Sequence, residues 1–209
     1  MPWGQSCLMT VISLQPDCLL EGRKVQIRPL RFADLPELAS WEPHTDPILE
    51  SYNLHFDSMA SWRRWLQGRL QSRWAYAIRN VEGELVGHMS LRQIDHPRSA
   101  RLGITIAAAF TGRAYGLDTL RVFLDYYFGD LGFKEMRLDV SGANLRARRL
   151  YRKLGFRQLH SFWLSASYED EGGLTQKAWM RSHIRHGKER YFEMSLTVNQ
   201  WWDVRASLA

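Results

Sequence analysis

The segment AAAFTGRAYGLDT, residues 107–119, leaves an apolar, β-favouring stretch, turns at Gly112 and Gly116, and enters a long apolar helix pattern. A strand end, a glycine-bearing turn and a helix start bring unpaired backbone N–H groups and the positive end of a helix dipole to one point, which makes an anion site by geometry. Small residues at Gly112, Ala114 and Gly116 let a pyrophosphate approach the backbone, and Arg113 adds a cation for its oxygens. The G-x-G-x-x-G dinucleotide pattern and the Lys-Ser or Lys-Thr of a P-loop are absent. Without a ligand the same residues read as a tight strand-to-helix turn. Downstream, DVSGANLRARRLYRKLGF, residues 139–156, ends a strand and starts a helix at Asn144. Helical spacing sets Asn144, Arg148 and Tyr151 on one face. A tyrosine hydroxyl there can protonate a leaving group, or the ring can be a half-buried packing residue.

The elements that must position these residues are legible from apolar spacing. Val25, Ile27 and Leu30 mark a strand, and Asp34 with Pro36 signals a helix start within 32–41. Met59, Trp62, Trp65, Leu66 and Leu70 recur every three or four residues, which predicts a core-packing helix over 57–70 capped by Asp57 or Ser58. Residues 74–79 and 85–94 flank a Glu-Gly turn as a hairpin, and 100–108 is a third strand. The broad apolar stripe over 117–131, stopped by Gly132, predicts a helix lying on a sheet. A strand over 135–140, a basic helix over 144–154 stopped by Gly155, and strands from 156 and over 191–198 complete the pattern. Residues 1–24 show no sustained period and read as an arm. The folded domain spans 25–198, with a long basic insertion over 164–190, and 199–209 reads as a tail. Trp201 and Trp202 in that tail can cover a core edge or a partner surface.

The chain has 209 residues, 45% of them hydrophobic and 12% aromatic, enough for one large core and too apolar for general disorder. Its 28 Lys and Arg against 22 Asp and Glu give +6, which favours an anionic partner: nucleic acid, a phosphorylated cofactor or an acidic surface. Cys7 and Cys18 are too few for a disulfide framework or a closed zinc site, so a reducing, cytoplasmic setting without a metal is expected. No uncharged run reaches the roughly 18 residues of a membrane span.

Taken together, these segments resemble the GNAT superfamily of acyl-CoA-dependent N-acetyltransferases. NLRARRLYRKLGF is similar to the family's N-x-R-A-x-x-x-Y-x-x-x-G-F, and VQIRPLRFADLPEL to its first strand and helix, I-x-L-R-P-x-x-x-x-D. Within the superfamily the chain looks closest to the branch of ribosomal-protein alanine N-acetyltransferases. The resemblance implies an α/β (α+β) domain, with a mixed, mostly antiparallel sheet of about six to seven strands and about four helices. It implies acetyl-CoA as cosubstrate and a primary amine as acceptor, either a protein N-terminus or a small amine such as a polyamine. Two parallel strands should splay apart after Ala108 and Val140 to admit the pantetheine arm. Ile106, Ala108, Thr111, Gly112, Arg113, Ala114, Tyr115, Gly116, Leu117, Asn144 and Arg148 would bind the cofactor, and Tyr151 would protonate the departing thiolate.

The sequence departs from the family in two places. The loop pattern Q/R-x-x-G-x-G/A is here Thr111, Gly112, Arg113, Ala114, Tyr115, Gly116. Ala114 keeps the backbone approach open if its φ stays negative, while Thr111 forfeits a side-chain contact that Arg113 can replace. The glutamate that many members carry before this loop is also missing, since the stretch reads Ala100, Arg101, Leu102, Gly103. Glu42, Asp57, His88, Asp95 or a water relay remain for proton removal, with His88 first because a neutral imidazole suits pH 7. Arg146, Arg148, Arg149, Arg152, Lys153 and Arg157 offer cations to a phosphate, to RNA or to water, and 177–190 is a second basic stretch suited to RNA, the ribosome or an acidic protein. A fold that binds through these faces without turnover is the alternative to an enzyme. Either a monomer or a homodimer is compatible with the sequence.

Overall fold

Among the described residues the apolar alternation of the chain becomes a single sheet of eight strands. The computed structural model describes residues 15–165 and 188–207. Its strands are β1 (Leu20–Glu21), β2 (Val25–Pro29), β3 (Arg73–Asn80), β4 (Leu85–Asp95), β5 (Ser99–Ile106), β6 (Glu135–Ser141), β7 (Arg157–Ser165) and β8 (Lys188–Thr197). They lie in the order β1-β2-β3-β4-β5-β6-β8-β7. Each neighbouring pair is antiparallel except β5 and β6. Among the described residues five α-helices, α1 (Leu35–Ala39), α2 (Met59–Ser72), α3 (Tyr115–Phe128), α4 (Leu145–Lys153) and α5 (Val198–Ser207), flank it.

Strand β3 shows how period-two alternation sorts the helices. Trp74, Tyr76 and Ile78 face a core shared with Phe123 and Tyr127 of α3, Tyr151 of α4 and Trp201 of α5. Ala75 and Ala77 face the other way, against Leu35 and Leu38 of α1 and Trp62 and Leu66 of α2. The small alanines give the two tryptophan-bearing turns of α2 room to approach the sheet. Further along this second face β5, β6 and β8 carry ions in place of apolar residues. Arg101 binds Asp139 and, at 2.8 Å, Glu193, while Arg92 reaches Asp139 at 3.1 Å.

The motif RPLRFAD acquires a structural role here. Arg28 grips Asp34 with both guanidinium nitrogens, at 2.6 and 2.9 Å, and Arg79 of β3 reaches Asp34 at 2.8 Å and Glu37 at 2.9 Å. The Arg31 N–H also donates to Asp34, at 2.8 Å. These bonds fasten the start of α1 to the sheet edge.

The structure adds to the sequence reading at both ends. The sheet starts before Val25, because Leu20–Glu21 pairs with β2, and the Gln15 side chain bonds both the N–H and the carbonyl of Ala75. Two paired residues carry no detectable period. Residues 198–207 form a helix instead of a loose tail: Trp201 is fully buried and its Nε1–H donates to Asp125, which Arg205 also binds. Helix α3 runs from 115 to 128, two residues earlier at its start and three at its end than expected. Residues 1–14 and 166–187, with Cys7 and most of the basic insertion, lie outside the described residues.

Burial by itself would raise the Asp34 pKa, but the bonds from Arg28, Arg79 and the Arg31 backbone outweigh it and lower the value to about 2. The folded-state pKa is depressed, so this stabilisation is fully present above the ordinary value of 3.8 and fades as pH falls towards 2. Asp34→Ala leaves two guanidinium groups facing each other without their shared anion and should cost about 3 kcal/mol in urea unfolding at pH 7. That deficit should shrink in melts taken below pH 3.8.

Candidate functional site

The site begins where the sheet opens. Strands β5 and β6 pair in parallel from Ser99↔Glu135 only as far as Leu102↔Leu138. Beyond that point β5 stays with β4 up to Ile106, and β6 stays with β8 up to Ser141. The opening therefore starts several residues before the Ala108 and Val140 expected from the sequence, because each strand keeps its antiparallel partner and abandons the parallel one. The N–H of Ala107 is taken by Val86, at 2.9 Å. Strand alternation consequently turns the backbone groups of Ile104 and Ile106 towards the gap.

A cavity of about 330 Å³ fills the opening, and its wall gathers most of the expected site. Ile106, Thr111, Gly112, Ala114, Tyr115, Gly116, Leu117, Asn144 and Tyr151 all line it. The first hydrogen bond of α3 runs from Asp118 N–H to the Ala114 carbonyl, at 3.1 Å, so the N–H groups of Tyr115, Gly116 and Leu117 have no acceptor within the helix. Gly116 lies close to both Leu150 and Ile106. A Cβ there would lie 3.6 Å from Leu150 and 3.8 Å from Ile106, ordinary contacts that leave little spare room. Gly112 has φ +82°, as its turn requires. The Thr111 hydroxyl donates to the Ala107 carbonyl at 3.3 Å and so is engaged within the loop.

Ala114 does not keep a negative φ: it caps α3 at φ 66°, ψ 6°, in the left-handed region. An alanine pays for that conformation, whereas glycine adopts it freely. The loop shape needed to aim three N–H groups at one point is thus held at some cost in local strain.

Opposite the loop, the Asn144 Oδ1 accepts from Ala147 N–H at 3.0 Å, capping α4 as the sequence predicts. The same side chain hydrogen-bonds the Tyr52 hydroxyl. Tyr151 is buried beside it, and burial, followed by the proximity of Tyr52, pushes its hydroxyl pKa well up, so it stays protonated. Arg146 supplies a cation at the cavity wall.

Other expected residues lie elsewhere. Ala108 faces a smaller neighbouring pocket. Arg113 is exposed, with its guanidinium 5.7 Å from the Phe110 ring, and Arg148 lies 4.2 Å over Phe192 while donating to the Gly142 carbonyl at 3.0 Å. His88 does not line the cavity. It is enclosed between Trp41, stacked at 6.0 Å, and Trp65, edge-on at 6.1 Å. Burial, then the charge of Arg69, lowers its pKa to about 3, and its strand turns it into the helix-covered layer instead of the cleft. In their place the cavity includes Leu49, Tyr52 and His44, all from the segment between α1 and α2. That segment has no hydrophobic periodicity to mark it in the sequence.

Residues 24–157 match the acetyltransferase (GNAT) domain model, and the chain belongs to that family. Spermidine N(1)-acetyltransferase of Escherichia coli K12 is 30% identical over 94 residues, which is 43% of this chain and 50% of the relative. The chain spans about half the length of the curated relatives it matches. Among solved structures, a GCN5-related N-acetyltransferase from Brucella melitensis superposes with a TM-score of 0.69 at 18% identity, over 92% of this chain and 85% of that one. The spermidine N-acetyltransferase of Vibrio cholerae in complex with CoA and spermine has a TM-score of 0.65 at 18% identity, over 85% and 98%. Among the described residues no helix is long and apolar enough to cross a membrane.

The strained cap gives a direct test of the loop. Ala114→Gly should raise stability by up to about 1 kcal/mol, seen as a higher urea midpoint with an unchanged slope, because relief of the left-handed strain exceeds the added chain entropy.

Proposed function

We propose that the chain is an acetyl-CoA-dependent N-acetyltransferase that moves acetyl to a primary amine by direct attack within a ternary complex. One observation carries this reading: the cavity between the diverging strands is lined on one side by the unpaired N–H groups of the α3 start and on the other by Asn144 and Tyr151. The loop and helix dipole hold the pyrophosphate, with Arg146 as a cation at the wall. The gap between β5 and β6 takes the extended pantetheine arm. Bound acetyl-CoA supplies an activated acyl group as its thioester.

The backbone N–H of Ile106, on the open side of β5, is positioned to donate to the thioester carbonyl as negative charge grows on it. The protonated Tyr151 hydroxyl gives its proton to the sulfur as the carbon–sulfur bond breaks. Asn144 holds Tyr52 against this tyrosine and keeps the wall closed.

The acceptor is a primary amine. A polyamine is favoured by the partial match to spermidine N(1)-acetyltransferase. A protein N-terminus, as in the ribosomal-protein alanine branch, rests on the sequence motifs alone. Contact with RNA or the ribosome finds no support in these relatives, and most of the basic stretch over 177–190 lies outside the described residues.

Gly116→Glu sets bulk and negative charge where phosphate must bind, so the thermal shift that acetyl-CoA gives the wild type should vanish while the fold's circular dichroism is retained. Tyr151→Phe removes only a hydroxyl. In single-turnover reactions followed by thiol release it should react about 10²-fold more slowly with little change in acetyl-CoA affinity, as expected of a group that acts only in the transition state.

A further inference from the structure

His44 stands where two cavities meet. It lines the cleft of about 330 Å³ and also a pocket of about 70 Å³ whose wall includes Trp41, Glu42, Phe56 and Trp62 and which reaches Ala107 and Ala108. A carboxylate among aromatic faces suits a cationic amine. The backbone of His44 is clamped by the Asn53 side chain, which accepts from its N–H at 2.7 Å and donates to its carbonyl at 3.0 Å. Its imidazole and Ile106, the residue whose N–H faces the reacting carbonyl, share the cleft wall, and the Ile106 carbonyl favours the ring's N–H.

A neutral imidazole has a single N–H. With that N–H turned to the Ile106 carbonyl, the second ring nitrogen is left as a proton acceptor. Burial first, then Arg146, lowers the pKa of His44 from 6.5, while the Ile106 bond and Asp46 oppose that shift. The other titratable groups around it are Tyr52, Tyr115 and Tyr151 in the cleft and Glu42 and His55 in the pocket. The ring is therefore neutral at pH 7 and able to accept a proton.

The geometry points to His44 as the general base of the transfer, taking the proton of an amine that enters through the aromatic-walled pocket. This rests on the acetyl-transfer reading above, and it fills the role left open by the missing carboxylate at 100–103. The entering ammonium first gives one proton to solvent; the neutral amine's lone pair then forms the new bond to the acetyl carbon, and the attacking nitrogen passes its second proton to the free nitrogen of His44. The carbon–sulfur electron pair leaves on sulfur, which takes a proton from Tyr151. His44 returns its proton to water and Tyr151 regains one, so amine and thioester become amide and thiol with nothing left over.

The test compares wild type, His44→Gln and His44→Ala with spermidine and with a short unblocked peptide as acceptors. His44→Gln keeps an N–H donor for Ile106 but has no basic nitrogen. Expected results are wild-type acetyl-CoA affinity by thermal shift in both variants and a kcat lowered about 10²-fold in both, with partial recovery of His44→Ala by added imidazole. At saturating amine the wild-type kcat should decline as pH falls below 6.5, and that limb should be missing from His44→Gln. Should glutamine restore wild-type turnover with the limb intact, His44 serves only to satisfy the Ile106 carbonyl and the inference is overturned. Wild-type failure to acetylate any amine would instead sink the acetyl-transfer reading, and this inference with it.

Discussion

The parting of β5 from β6 after Leu102 and Leu138 is the constraint on which the site depends. A buried strand cannot leave its backbone groups unpaired without cost, so a sheet opens only where something else meets them. Here His44 meets the Ile106 carbonyl, and the cavity gives the remaining groups an open face. The sheet survives the break because antiparallel pairing to β4 and to β8 continues on either side. Strand pairing therefore provides both the rigidity of the cleft and the unspent hydrogen-bonding capacity within it.

The opening would be a featureless slot without the segments that reach over it. Asp34 and Glu37, tied to Arg28 and Arg79, anchor α1, and the chain leaving α1 delivers His44, Leu49 and Tyr52 to one wall. Helix α4 delivers Asn144 and Tyr151 to the other. Tyr52 from one wall and Asn144 from the other meet in the same cavity. A mobile wall would admit water to the cleft, which is the physical reason to place buried polar groups there.

Residue type alone was a poor guide to which side chains reach the site. His88 has the ordinary chemistry of a base, but its strand turns it between two tryptophans, where its burial disfavours charge. Arg148 has the charge for a phosphate, but it is spent on Gly142 and the face of Phe192. In both cases a local contact made by the fold outranks a role inferred from composition.

The hydrophobic periods of the sequence were sufficient to determine most strands and the four helices α1 to α4, because burial on one face imposes a period of two or 3.6 wherever an element is long enough. The motifs around Gly112 to Gly116 and Asn144 to Tyr151 likewise identified the turn and helix start that bring N–H groups and a tyrosine together, since those depend on contacts within a few residues. What lies in the two-residue β1, in α5 and in the segment around His44 has no period. It was decided by long-range contacts: Gln15 on Ala75, Trp201 on Asp125 and His44 on Ile106. The left-handed Ala114, the early end of β5–β6 pairing and the burial of His88 were settled there too. A sequence specifies neighbours along the chain directly, whereas partners sixty residues apart are chosen only when the whole sheet closes and each buried polar group must find what remains unpaired.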